Sequence, residues 1–287
     1  MAVDLQALYP KLIHLMLDTV FVVDRDNQIV FVSDACESLL GYRADELTGT
    51  AITNYMHPDD LAITKASITR VMNGQPHIDF RNRYIRKDGS VVHILWAACW
   101  SEDVGARIGV ARDITALRQA ESELHFLAHH DPLTELANRS LFNERLGSAL
   151  RGARRHQNTL ALLFIDINDF KDINDAHGHA AGDRVLRLIA QRLKSSVRET
   201  DTVARMGGDE FTVLLTDIQS EEAVAAKVEH ILAIMAEPLD ADFGTIKMPS
   251  CSIGVACYPA DGEDADTLLS HADGEMYRIK KLRPAVR

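Results

Sequence analysis

Apolar and polar positions alternate in two different ways along this chain. Val20-Phe21-Val22-Val23 and Ile29-Val30-Phe31-Val32 are short apolar runs on either side of Asp24-Arg25-Asp26-Asn27. That pattern predicts two strands joined by a polar turn. Helical pieces are expected at Asp45-Glu46-Leu47 and, longer, from Asp59 to Val71. Ile78 to Arg86 and Val91 to Trp100 flank Lys87-Asp88-Gly89-Ser90, a hairpin signal because Asp-Gly accepts a positive φ. A last strand is expected near Arg107 to Val110. The sum is an antiparallel sheet with helices on one side, a small α+β domain over residues 1–112. Trp96 and Trp100 share one strand face and read as sheet packing.

From Asp113 to His129 the period changes. Ile114, Leu117, Ala120, Leu124 and Leu127 recur at a spacing of three to four among charged residues, with no Gly or Pro between them. This predicts an amphipathic linker helix over 113–129, and Leu117 to Leu124 is one heptad step. It reads either as one half of a pair or as a helix lying on its own domain. A third region, 130–287, opens near Asp131-Pro132-Leu133-Thr134. Its expected elements are an apolar strand from Leu160 to Ile165, a polar loop-helix stretch to Gly182, and a helix from Asp183 to Val197. Strands at Thr202 to Met206 and Phe211 to Leu215 follow, joined through Gly207-Gly208-Asp209-Glu210. A helix from Glu221 to Met235, a strand from Cys251 to Tyr258 and a helix from Asp264 to Lys281 complete it.

Composition narrows the function. The 287 residues suit about two domains of ordinary size. With 46% hydrophobic and 25% charged residues the chain is globular material. No apolar run approaches the roughly 18 residues that span a bilayer, and Met1-Ala2-Val3-Asp4-Leu5-Gln6 lacks the start of a signal peptide. The four cysteines (Cys36, Cys99, Cys251, Cys257) are scattered without a CxxC pair, which fits a reducing cytoplasm. The net charge of −11 argues against a nucleic-acid polymer as partner. A phosphate ligand is still compatible, provided metal ions offset the repulsion.

Several phosphate and nucleophile motifs are missing: GxxxxGK[ST], GxGxxG and GxSxG do not occur. Asp166-Ile167-Asn168-Asp169 imitates the start of a calcium loop, but Lys171 stands at the sixth position, where that loop turns on Gly. What remains is a set of carboxylates. Asp166 ends an apolar strand, and Asp209 and Glu210 sit in a Gly-Gly hairpin that lets a ligand approach the backbone. If the two strands are neighbours, Asp166 and Asp209 converge at one sheet end and suit Mg²⁺-assisted phosphoryl transfer. The same residues also read as turn carboxylates facing solvent.

Arg205-Met206-Gly207-Gly208-Asp209-Glu210-Phe211 resembles the signature of the GGDEF family, the diguanylate cyclases. His130-Asp131-Pro132-Leu133-Thr134 is similar to the family's opening block. Phe164-Ile165-Asp166, Phe170-Lys171, Asn174-Asp175, Gly178-His179 and Gly182-Asp183 resemble its nucleotide block, and Ser252-Ile253-Gly254-Val255-Ala256 its late strand. The resemblance covers about residues 125–283. The first region, closing on Asp113-Ile114-Thr115, resembles PAS sensor domains. The implied fold class is α+β: a PAS-like antiparallel sheet with helices, a linker helix, and a GGDEF domain resembling the nucleotidyl cyclase palm.

The resemblance implies a cytoplasmic homodimer that condenses two GTP into cyclic di-GMP and two pyrophosphates, under PAS control and product inhibition. It implies Mg²⁺, or Mn²⁺ in its place, on Asp166 and Asp209 with the carbonyl of Ile167. Glu210 would stand beside the ribose 3′-hydroxyl, so Asp209 and Glu210 carry catalysis. Lys171 and Lys280 would contact phosphate, Asn174 and Asp183 would read guanine, and Gly207 and Gly208 would admit phosphates to the backbone. Phe170 belongs to the same block, as a substrate contact or as core. Arg198-Glu199-Thr200-Asp201 matches the family's RxxD product-inhibition pair, Arg198 and Asp201. The alternative is a catalytically silent domain that acts as a receptor for GTP or cyclic di-GMP.

Two departures stand out. Ile279-Lys280-Lys281-Leu282-Arg283-Pro284 replaces the family's Ala-Lys then Gly-Arg-Asn ending, so Pro284 falls where an arginine is expected and Arg283 one step away. Glu135 replaces the Gly that follows Leu133-Thr134. In the sensor region, His57 reads as a cap or surface group rather than a haem ligand. Cys36 and Cys99 are outside the flavin-binding motif of light-sensing PAS domains, and the sensor ligand is open.

Overall fold

The computed structural model describes residue 11, residues 13–238 and residues 246–282. It divides into two compact units with the boundary between Glu123 and Leu124.

In the first unit the predicted strands form one antiparallel sheet. β1 (Thr19–Val23), β2 (Ile29–Val32), β3 (His77–Ile85), β4 (Val91–Ser101) and β5 (Ala106–Asp113) take the order β2-β1-β5-β4-β3. β1 buries Thr19, Phe21 and Val23 and leaves the alternate positions half-buried, the signature of a sheet covered on one face. The cover comes from α1 (Cys36–Leu40), α2 (Ala44–Leu47) and α3 (Leu61–Met72). Phe21, Tyr84, Ile94 and Trp96 meet Cys36, Leu40 and Leu47 in one core. Gly109 lets the Trp96 ring lie on β5, since a Cβ there would stand 3.2 Å from it. His57 is a cap, as expected: its Nδ1 accepts from the Asp59 N–H at 3.3 Å, at the start of the 3₁₀ turn Pro58–Asp60.

The amphipathic helix is present as α4 (Thr115–His129), started by the Thr115 N–H on Asp113 Oδ1 at 2.7 Å. None of its residues is buried, and Leu117 and Leu124 are 57% and 68% exposed.

The second unit is a sheet between two helical layers. β6 (Thr159–Ile167), β7 (Thr202–Gly207), β8 (Glu210–Ile218) and β9 (Cys251–Tyr258) take the order β7-β8-β6-β9, every neighbour antiparallel. β6 is buried from Leu160 to Ile167 because both of its faces are covered. Ala161, Leu163, Ile165 and Ile167 join a core with Val185, Ile189 and Leu193 of α7 (His179–Ser195) and Ile231 of α8 (Glu221–Met235). Leu160, Leu162 and Phe164 face Phe142 and Leu146 of α5 (Arg139–His156) and Leu268 and Ala272 of α9 (Ala265–Leu282). Each such Leu or Ile contributes about 1.5–3 kcal/mol on burial.

Two elements differ from the expectation. α5 is absent from the sequence reading: Phe142, Leu146, Leu150 and Ala153 mark its buried face, but the remaining positions are mostly polar or Arg and dilute the stripe. Asn138 caps it, accepting from the Leu141 N–H at 3.0 Å. The helix expected from Asp183 begins at His179. It follows α6 (Phe170–His177) after a break at Gly178, whose φ is +81°. Only a residue without Cβ takes that angle freely.

Candidate active site

β6 carries Asp166 to the sheet end at which the β7–β8 hairpin turns. Asp166 pairs with Glu210 across the β6–β8 ladder and with Ser252 across β6–β9. The Ile167 N–H donates to the Asp209 carbonyl at 3.2 Å. Ladder partners share a face, so Asp166 and Glu210 look toward the α5–α9 layer, with Asp209 in the turn beside them. Gly207 and Gly208 have φ of +149° and +52° and form that turn with no atom crowding either Cβ position.

The turn is tied down by Arg205, a residue of the motif to which sequence reasoning assigned no task. Its Nε and Nη2 donate to the Gly208 carbonyl at 2.9 and 2.7 Å, and its Nη1 to Asp131 Oδ1 at 3.0 Å. Asp131 also accepts from the N–H and hydroxyl of Thr134. Burial pushes the Asp131 carboxyl up, but Thr134 and Arg205 outweigh it and hold it below the ordinary range. The opening block and the hairpin are thus one hydrogen-bonded clamp. A second support is Asn168, 2% exposed. Its Oδ1 accepts from Ser252 at 2.9 Å and its N–H donates to the Ser250 carbonyl, fixing the chain just after Asp166.

The carboxylates are crowded. Burial raises Glu210, and Asp166, Asp273 and Asp209 raise it further against Arg139. Burial likewise raises Asp166, with Asp209 and Asp169 adding to it, although Lys280 Nζ donates to its Oδ1 at 2.6 Å. Lys280 therefore stands on a carboxylate, where the resemblance implied a phosphate contact. Among the described residues no three His, Cys, Asp or Glu side chains are arranged to hold a metal ion. Two carboxylates with a main-chain carbonyl make an all-oxygen donor set that fits a hard cation such as Mg²⁺. The lysine already seated there marks the spot as one that takes positive charge.

The remaining residues fall into two groups. Asn174 and Phe170 of α6 press on Gly182 of α7: a Cβ on Gly182 would run into the Asn174 amide and stand 3.0 Å from the Phe170 ring. Asp183 follows directly, half-buried, while Lys171 is exposed. Phe170 packs against the core, so it supports the helix pair. Arg198 and Asp201 lie at the opposite end of β7 from the Gly-Gly turn, roughly 20 Å away along the strand. They line a cavity of about 320 Å³ with Arg145 and Lys194, two further basic residues. The Asp201 carboxylate is occupied locally, accepting from the N–H of Arg198 at 3.0 Å and of Thr216 at 3.1 Å. Glu135, at the position usually Gly, has a φ of +58°, so the left-handed turn is kept without the residue that adopts it most easily. Arg283 and Pro284 lie outside the described residues.

A profile of the diguanylate cyclase GGDEF domain matches residues 128–284, more than half of the chain. The chain belongs to the GGDEF family. A PAS-fold profile matches residues 7–114, so this GGDEF protein carries a PAS domain ahead of its GGDEF domain. The diguanylate cyclase TpbB of Pseudomonas aeruginosa is 45% identical over 165 residues, 58% of this chain and 38% of TpbB. DgcE of Escherichia coli, a probable diguanylate cyclase by name, is 31% identical over 93% of this chain and 25% of its own length. The chain thus spans well under half of these curated relatives. The solved GGDEF domain of TpbB is 46% identical, with a TM-score of 0.52 over 54% of this chain and 90% of that one. The coiled coil and GGDEF domain of DgcB from Caulobacter crescentus, solved with c-di-GMP, is 28% identical, with a TM-score of 0.52 over 58% and 88%. Among the described residues no helix is long and apolar enough to cross a membrane.

Proposed function

We propose that this chain is a diguanylate cyclase that condenses two GTP into cyclic di-GMP in the cytoplasm. The observation that carries this reading is the pairing of Asp166 with Glu210 across β6–β8, with Asp209 in the glycine turn beside them. The 3′-oxygen of one GTP attacks the α-phosphorus of the other. A P–O bond forms, the α–β bridge breaks, pyrophosphate leaves, and a second round closes the ring. Asp166, Asp209 and the Ile167 carbonyl would hold Mg²⁺ or Mn²⁺, which would supply charge neutralisation and a more acidic 3′-hydroxyl. Glu210, whose half-buried carboxyl is raised by partial desolvation and then by its acidic neighbours, accepts that proton. Gly207 and Gly208 leave room for phosphates at the backbone, Lys171 neutralises them together with Lys280 once that side chain leaves Asp166, and Asn174 and Asp183 read the guanine edge.

One such site holds one GTP, so the enzyme works as a homodimer whose two sites face each other. The uncovered leucines of α4 support a helix pair that sets that encounter. The PAS domain, residues 1–112, biases the pair through the linker 113–129. The basic cavity with Arg145, Lys194 and Arg198 supports product inhibition there, because Arg recognises guanine or phosphate by paired hydrogen bonds.

The test is incubation with GTP and Mg²⁺, following cyclic di-GMP and pyrophosphate, for the wild type and Asp209→Asn. Product in the first and none in the second is expected, with specific activity falling on dilution to monomer. GTP binding without turnover in the wild type identifies a receptor instead.

A further inference from the structure

The last turn of α4 carries two histidines that the carboxylate site does not use. His125 and His129 are four positions apart in the helix and so stand on one face of it. Their rings touch, with centroids 4.8 Å apart and planes at 53°. Among the described residues neither ring makes a hydrogen bond or an ion pair, and the His129 Nδ1 is buried with no partner. His125 is exposed and His129 half-buried, so the pair is open to solvent on one side. The two rings are about 100° and 140° round the helix from Leu124, so a helix pair formed on the leucines leaves them accessible.

The backbone under the pair is fixed. Asn138 Nδ2 donates to the Leu127 and Ala128 carbonyls at 3.3 and 3.0 Å, and the Asn138 N–H donates to the His129 carbonyl at 2.9 Å. Asn138 is also the cap of α5. The His130 ring, one place further on, lies flat against Phe126 at 4.7 Å. The end of α4 is thus hydrogen-bonded to the helix that opens the GGDEF core, and whatever holds this turn holds that joint.

We propose that His125 and His129 chelate a divalent transition-metal ion, zinc or one of similar chemistry, which staples the last turn of α4. The spacing is that of a helical zinc-binding pair. An imidazole nitrogen binds zinc at about 2.0–2.1 Å and lies about 1.1 Å from its ring centre, so two rings sharing one ion at about 90–110° stand roughly 4.5–5.2 Å apart. The observed 4.8 Å lies in that range, and chelation asks for ring rotation without backbone movement. Neither ring has a protein hydrogen bond to give up. Imidazole suits zinc, nickel and copper, whereas Mg²⁺ takes oxygen ligands, so this site is distinct from the carboxylate cluster and independent of cyclase turnover. Water completes the coordination.

The test uses the full chain in excess Mg²⁺, titrated with Ni²⁺ and with Zn²⁺ by calorimetry, while carbon–proton spectra follow the histidine rings. Paramagnetic Ni²⁺ should broaden the His125 and His129 ring signals together. His125→Ala and His129→Ala should each weaken that site at least about tenfold, because the second nitrogen binds at a high effective concentration. His230→Ala, which removes the single histidine of α8, should leave it unchanged. Zn²⁺ at about ten times its Kd should slow amide exchange from Leu127 to His130 by roughly tenfold, the factor being 1 + [Zn²⁺]/Kd, and added Mg²⁺ should not. If His129→Ala does not fold, the exposed His125→Ala decides alone. Undiminished affinity in His125→Ala, broadening of one ring without the other, or amide exchange unchanged by Zn²⁺ overturns the proposal.

Discussion

Gly254→Ala should unfold the GGDEF domain more easily while leaving the PAS domain untouched. Gly254 lies on β9 opposite Phe164 of β6, on the face that α9 covers. A Cβ there would collide with the Ala272 carbonyl oxygen and the Met276 nitrogen, and would stand 2.9 Å from Met276 Cα. All three are main-chain atoms, so no rotamer change relieves the clash and α9 must retreat. Moving from 2.9 Å to the edge of ordinary contact is about 0.5 Å at Met276 Cα, and more at the two closer atoms. A gap of about 0.5–1 Å forfeits a quarter to a half of the dispersion energy of each contact it opens. Leu268, Ala272 and Met276, at 0%, 0% and 4% exposure, all hold α9 to the sheet. The cost is set at about 3 kcal/mol, the upper end for overpacking. With a urea slope of about 2 kcal/mol/M, the midpoint falls by about 1.5 M.

The sequence provides its own control for this measurement. Both tryptophans, Trp96 and Trp100, are in the PAS domain, so tryptophan fluorescence follows that domain and far-UV circular dichroism follows the whole chain. The dichroism component unmatched by fluorescence should move, and the fluorescence transition should stay. A dichroism midpoint within about 0.3 M of wild type would refute the close-approach argument. Lys280 lies one turn beyond Met276, so the same variant should also lose the Asp166 ion pair and with it cyclase rate.

Three further outcomes follow from the site. Arg205→Lys keeps the charge but not the planar fork on Gly208 and Asp131; cyclase kcat should fall by about tenfold or more, and near-unchanged kcat would remove the clamp from the catalytic account. Arg198→Ala should relieve product inhibition with little change in initial rate or stability, while Asp201→Ala, which strips two backbone N–H groups of their acceptor, should cost about 2 kcal/mol in denaturation; equal stability of the two variants contradicts this division. The pH dependence has two opposed parts. Asp166 and Glu210 are raised in the fold, so without divalent cation stability should increase as pH falls through their folded values toward the ordinary carboxylate range near about 4. Asp131 is depressed, so its contribution is present above the ordinary Asp value and is lost as pH falls through its lower folded value. Urea melts with EDTA across acid pH should show the rise first, and Glu210→Gln should flatten it; a monotonic fall from neutral pH refutes the assignment.

How much was legible depended on where the information lay. The strands of the PAS domain and the β7–β8 hairpin were readable because alternation and Asp-Gly or Gly-Gly turns are local properties. β6 was readable as a strand from its unbroken apolar run. α5 was not, because Phe142, Leu146, Leu150 and Ala153 are the only apolar stripe on a surface crowded with arginines, and only the sheet beneath explains them. The start of α7 shifted because Gly178, rather than the polar stretch around it, sets where the chain turns.

The sequence by itself determined the two-domain α+β organisation, the family, and the residue types at the carboxylate site. Those follow from periodicity and from motifs that are contiguous in the chain. Tertiary structure alone decided that Lys280 sits on Asp166 across 114 positions, that Arg205 reaches back to Asp131, and that Asn138 ties the end of α4 to the start of α5. Each of these depends on which strands and helices become neighbours, and the free energy that makes them neighbours comes from burial of apolar faces far from the polar atoms that end up in contact.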